Sequence, residues 1–199
     1  MPLKIDGQLD DWTSDMEDRN VSPYVHAQPI VLSSQDATGA KLSNDADLSA
    51  IVYFLWNENA LCLAGVVFNQ GGAATLSARI DGHVLSFVPF GSGTSVLLDG
   101  KSVVALRTAF GQTTSDNLID ARALSLFAGN APRTGQSPEK VPGATFEIEV
   151  PWSALGWDKP PDQFRGLIRV ERPDGAAIQS PVRAAKDDTK TWLTLTLAQ

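Results

Sequence analysis

An all-β fold, two antiparallel sheets packed as a jelly-roll-like sandwich, is what this sequence predicts, and three observations carry the prediction. Apolar residues recur with period two and long helical periodicity is absent. Turn dipeptides punctuate the chain at short intervals: Asp81-Gly82, Asp99-Gly100 and Asp174-Gly175, with Gly91-Ser92-Gly93 between them. Composition is that of an ordinary globular chain, with 43% hydrophobic and 20% charged residues over 199 positions. Such a length suits one sandwich with a full core and no need of disulfide or metal staples. Neither an internal repeat nor a linker interrupts it, so residues 1–199 read as one domain.

In chain order, 14–47 reads as a long loop. Ile51–Trp56 is a continuous apolar, β-favouring run that suits a central strand. Asn57-Glu58-Asn59 supplies turn chemistry before Leu61–Phe68 returns as its hairpin partner. Further strands are expected at Ala74–Ile80, His83–Val88, Thr94–Leu98, Ser102–Phe110, Leu118–Phe127 and Gly166–Glu171. A second loop, with three prolines, is expected over Gly129–Pro142. Phe146, Ile148 and Val150 alternate with Thr145, Glu147 and Glu149, the pattern of a strand with one wet face. Pro151 opens a single helical turn through Leu155. Leu193, Leu195 and Leu197 close the sequence as an inward-facing strand.

Charge narrows the function. Sixteen Lys and Arg against twenty-three Asp and Glu leave a net charge of −7, a field that repels phosphate backbones and anionic lipid. Nucleic acid and membrane insertion are therefore not expected, and no segment reaches the length of a membrane span. The one cysteine, Cys62, sits in the apolar run Leu61–Ala64 and reads as a small buried hydrophobe. Gly-x-Ser-x-Gly, phosphate-loop and dinucleotide patterns are all missing, so no catalytic residue is assigned and the chain is not read as an enzyme.

Four segments, in order, resemble the family 9 carbohydrate-binding modules and the wider superfamily that includes haem-binding DOMON-type domains. They are Ile5-Asp6-Gly7-Gln8-Leu9-Asp10-Asp11-Trp12, the strand-turn-strand around Leu55-Trp56-Asn57-Glu58-Asn59, Ala144–Trp157 with Pro151-Trp152-Ser153-Ala154-Leu155-Gly156, and the closing Trp192 before Leu195 and Leu197. The resemblance implies an exported, extracellular or periplasmic, non-catalytic domain whose partner is a polysaccharide or oligosaccharide. The sequence departs from sugar-binding members in one place: Gly71–Gly82 lacks their mid-chain Trp and the Glu that follows it. One aromatic wall of the sugar clamp is thus missing, and the other falls to Trp192.

Two groups of residues are candidates for ligand binding. The first is Arg183, Lys186, Asp187 and Asp188 with Trp192, which alternation places on the face opposite Leu193. An exposed indole beside charged side chains suits the C–H face and hydroxyls of a pyranose. The second is the period-two row Arg79, Asp81 and His83. Trp12, Trp56 and Trp152 are expected in packing, and Arg165, Arg169 and Glu171 as an ion-pair ladder. No cofactor is assigned. Calcium on Asp10, Asp11, Asp15 and Asp18 lacks a full loop pattern, and haem would have to draw on Met16, with only His26 and His83 as histidines. Two other readings stay open: a structural or protein-interaction sandwich that has lost its sugar site, and a haem-binding redox domain of the DOMON type.

Overall fold

The structure is a computed structural model that describes residues 4–9, 12, 30–32, 48–69, 73–91, 93–114 and 142–197. Twelve antiparallel strands are found among them: β1 (Ile30–Leu32), β2 (Leu48–Trp56), β3 (Ala60–Asn69), β4 (Thr75–Ile80), β5 (His83–Phe87), β6 (Leu97–Leu98), β7 (Lys101–Ser102), β8 (Arg107–Thr114), β9 (Pro142–Pro151), β10 (Gln163–Glu171), β11 (Ala177–Ser180) and β12 (Leu193–Thr196). The first sheet runs β1-β2-β3-β9-β8. The second runs β11-β10-β4-β5-β6-β7, with β12 pairing β10 beside β11. The expected two-sheet sandwich is the observed architecture.

Period two decides which side chains meet between the layers. Leu61, Leu63 and Val67 of β3 face Leu76, Ala78 and Ile80 of β4 and Ile168 and Val170 of β10 across the main core. Aromatic pairs pin one sheet to the other: Phe87 meets Phe146 edge-on at 5.0 Å between centroids, and Phe54 lies 6.4 Å from Phe164. The β2–β3 hairpin forms as expected, its turn held by the Asn57 side chain, which accepts from the backbone of Asn59 and Ala60. Trp152–Leu155 makes the predicted single turn, a 3-10 turn that Gly156 ends at φ 73°.

In the first sheet the central strands β2, β3 and β9 are buried on both faces, which is why β2 and β3 read as unbroken apolar runs. Its outer residues Ile51, Tyr53, Leu55, Cys62, Ala64, Val66 and Phe68 pack with Leu9 and Trp12 of the amino-terminal segment. This corrects the expected wet face of β9. Glu147 is fully buried, and its carboxylate accepts from the backbone N–H groups of Asp6 (2.8 Å) and Gly7 (2.6 Å) and from Trp12 Nε1 (2.6 Å). Thr145 Oγ1 donates to the Gly7 carbonyl. Gly7 sits at φ 85°, and a Cβ there would meet the Phe110 backbone at 2.9 Å. One carboxylate thus straps the amino-terminal segment across the sheet.

Two other expectations change. The expected loop 14–47 contains β1, which pairs with β2. The single strand expected over Ser102–Phe110 is two strands in different sheets, since the chain turns at Val103–Leu106 and leaves β7 for β8. Leu118–Phe127, and the expected loop 129–142 up to its last residue, lie outside the described residues.

Candidate functional site

The outer face of the second sheet is built from the residues that alternate with its core. Arg165, Leu167, Arg169 and Glu171 on β10 lie outward because Phe164, Ile168 and Val170 point in. By the same rule β4 presents Thr75, Ser77 and Arg79, and β5 presents Val84 and Ser86. Strand register then aligns Gln179, Arg169, Ser77, Ser86 and Leu97 in one row across β11, β10, β4, β5 and β6.

Arg169 organises this row. Its Nε donates to Glu171 Oε2 at 2.8 Å and its Nη1 to Gln179 Oε1 at 2.8 Å, while Lys186 Nζ reaches the same Glu171 oxygen at 3.3 Å. The hydrogen bond from Arg169, reinforced by both cationic neighbours, holds the Glu171 carboxyl below its ordinary value against the opposing effect of burial. The expected ladder on β10 is present in its Arg169–Glu171 rung.

Trp192 stands on the predicted face but is not exposed there. Its relative exposure is 6%, because the 181–191 loop folds over it: the indole packs on Leu167 and Ala184, and Nε1 donates to the Ala185 carbonyl at 2.8 Å. The expectation of an open aromatic platform is corrected, since an amphipathic ring with a buried donor needs both a cover and an acceptor. The loop is stitched to itself. Asp188 caps the 3-10 turn Thr189–Thr191 through the Lys190 N–H, and Thr191 Oγ1 accepts from Ala185 N and donates to the Asp188 carbonyl. Arg183 (φ 64°), Lys186, Asp187 and Asp188 are exposed on its surface.

The structure divides the second candidate group. Arg79 stays on the outer face with its guanidinium carbon 6.0 Å from the Trp192 ring centroid. Asp81 occupies the β4–β5 turn at φ 47°, where its carboxylate accepts from Arg165 N. The turn resets the alternation: His83 pairs with inward-facing Ile80, opposite in sense to Arg79. His83 Nδ1 lies 2.8 Å from Asp99, not from Asp81. Burial raises the Asp99 carboxyl, but the bonds from His83 and from Val84 N outweigh it and leave it below its ordinary value. Arg79, Asp81 and His83 therefore do not form one polar cluster.

A recess of about 360 Å³ adjoins the polar row on its β5 side. Its lining combines the hydroxyls of Thr75, Ser86, Thr94 and Ser95 with the apolar side chains of Val88 and Phe90. Sequence reasoning missed this feature and the hydroxyls of Ser77 and Ser86, because single serines in strands carry no signal until register sets them side by side. Its one legible trace was the Gly91-Ser92-Gly93 turn. Among the described residues no group of three or more His, Cys, Asp and Glu could hold a metal ion, and no helix is long and apolar enough to cross a membrane. Asp10, Asp11, Asp15, Asp18, Met16 and His26 lie outside those residues.

No protein-family model matches the sequence, and no curated protein matches it. Solved structures do. The family 9 carbohydrate-binding module of Caldicellulosiruptor kristjanssonii in complex with glucose superposes at a TM-score of 0.53 with 12% identity, covering 100% of this chain and 92% of that one. The fold is that of the family 9 carbohydrate-binding modules. The same organism's module in complex with cellotriose gives a TM-score of 0.48 at 12% identity over 96% of this chain and 85% of that one. The motifs that carry the sequence resemblance have structural duties: Asp6, Gly7 and Trp12 bind Glu147, Asn57 makes the β2–β3 turn, and Trp152 Nε1 donates to the Asn57 carbonyl. Of these motif residues only Trp192 belongs to the outer face of the second sheet, and there it is covered.

Proposed function

We propose that this domain binds carbohydrate without catalysis, and that the outer face of its second sheet is the binding surface. The observation that carries the proposal is the continuity of the polar row with the recess. Hydroxyls of Thr75, Ser77 and Ser86 lie beside Val88 and Phe90, and the partly exposed Arg169 guanidinium comes next along the row, backed by the buried Gln179 amide. A pyranose offers hydroxyls to the first set and an apolar C–H face to the second. The fold of a module that binds glucose supports the same reading.

Trp192 serves here as a support. It fixes the 181–191 loop and lies under Arg79, while Lys186 on that loop bridges to Glu171 at the margin of the row. Arg183, Asp187 and Asp188 line the exposed rim, where they meet ligand only if it extends beyond the row. The acid pair of β9 supports binding over hydrolysis, because Glu147 is committed to the amino-terminal strap and Glu149 to Arg107. An open site of this kind gives affinities on the order of millimolar to micromolar, about 4 to 8 kcal/mol. Export to an extracellular or periplasmic space, where polysaccharide is met, belongs to the same proposal.

Calorimetry and affinity electrophoresis against a panel of neutral and charged oligosaccharides test it. Ser86→Trp, which puts an indole into the recess from its lining, is expected to abolish binding with the melting temperature retained. Binding that survives this substitution would overturn the site.

A further inference from the structure

The strands of the second sheet's outer face carry Arg79, Arg165 and Arg169 with one acid, Glu171, and the 181–191 loop at its margin adds Arg183, Lys186 and Lys190 against Asp187 and Asp188, a local positive excess on a chain whose net charge is −7. Glu171 is shared by Arg169 and Lys186. Arg79 and Arg165 pair with no carboxylate among the described residues. Asp81, the acid beside them in the chain's path, accepts from the backbone N–H of Arg165 through its carboxylate oxygen. Arg79 faces Leu167 across the β4–β10 ladder, so Arg165, two residues along β10, is its diagonal neighbour.

Arg79 is also held in place. It is half-buried, and its guanidinium rests over the Trp192 indole, which Ala185 and Leu167 fix from below. A cation–π contact at 6.0 Å neutralises no charge, and the guanidinium N–H groups keep their capacity to donate. A half-buried cation beside a ring, lacking a carboxylate partner among the described residues and lying two residues along β4 from Ser77, can receive one carboxylate.

We propose, resting on the carbohydrate reading above, that the ligand is an acidic glycan carrying an isolated uronate, with Arg79 receiving the carboxylate and Arg165 adding long-range attraction. An isolated uronate fits better than a polyuronate or a nucleic acid. The local excess of positive charge covers one face, whereas the whole molecule repels an extended polyanion.

The test is a matched pair of probes in calorimetry at low and high salt: an oligosaccharide capped by one glucuronate and the same compound with its carboxyl reduced to the alcohol. The acidic probe is expected to bind about tenfold more tightly at low salt, with the preference shrinking as salt rises. Arg79→Gln should remove the preference, so that the acidic and reduced probes bind alike. Arg79→Lys, which keeps charge and cover over Trp192 but loses the two-pronged edge, should retain only part of it, and melting temperatures report whether each variant folds. Equal binding of the two probes, or a preference untouched in both variants, overturns this inference while carbohydrate binding stands. Failure of both probes and of the neutral panel overturns the two together.

Discussion

Replacing Trp192 with alanine separates a supporting indole from a ligand platform. The side chain is 94% sequestered from solvent, by the complement of its 6% exposure, and it fills a small cluster with Leu167 and Ala184 outside the main core. Truncating a fully buried aromatic costs about 3–5 kcal/mol. Here the exposed 181–191 loop can settle partway into the space, which lowers the expected loss to about 2–4 kcal/mol. Trp192→Phe keeps most of the packing and gives up the Nε1 bond to the Ala185 carbonyl, a loss of about 1 kcal/mol. Urea unfolding of the three proteins should therefore rank wild type above the Phe variant and the Phe variant above the Ala variant, with the m-value unchanged. For a chain of this size each kcal/mol moves the melting temperature by about 2–4 °C, so Trp192→Ala should melt roughly 4–16 °C lower. An alanine variant within about 0.5 kcal/mol of wild type would refute the reasoning, because only a solvated ring can be removed at so little cost.

Glu147→Gln should destabilise by about 2–4 kcal/mol in the same assay, since one amide cannot accept from both the Asp6–Gly7 backbone and Trp12 Nε1, and combination with Trp12→Phe should be clearly non-additive. Gly65→Ala should cost more than about 3 kcal/mol or prevent folding, because its Cβ would run into the Ile51 carbonyl and the Phe146 ring, as soluble yield and unfolding midpoint will report. Cys62 should stay unreactive to a thiol reagent at pH 8 until the protein unfolds, because burial first, and then the nearby Glu149, push its thiol up to about 12. The Glu171 carboxyl is held below its ordinary value of 4.5, so its stabilising effect is present above that pH and is lost as pH falls through the lowered value. Wild type should therefore exceed Glu171→Gln by less than about 1 kcal/mol near neutrality, the carboxylate being 39% exposed, and converge with it in acid.

How much of this was legible in the sequence depended on whether a signal was local. Alternation and turn residues announced the β2–β3 hairpin, the inward face of β9 and the turn after Pro151, because each is written within a few positions. Trp192 was placed on the correct side of its strand by the same rule. Its burial could not be read, since that depends on a loop folding back to place the Ala185 carbonyl at its indole N–H. Glu147 misled for a parallel reason: an acid alternating with Phe146 and Ile148 looks solvated until a segment 141 positions away is seen to supply its donors. The period-two row Arg79, Asp81 and His83 failed at the Asp81-Gly82 turn, where counting by twos loses its meaning. The polar row across four strands is a product of register, which no single segment encodes.

The proposed receiver of the glycan is the outer face of the second sheet. Backbone amide shifts recorded while an oligosaccharide is titrated into the labelled protein test it most directly. Shifts concentrated at Thr75, Ser77, Ser86, Val88 and Arg169 are expected, with the β2–β3 hairpin silent. Shifts confined to the first sheet, with that face unmoved, would contradict the account.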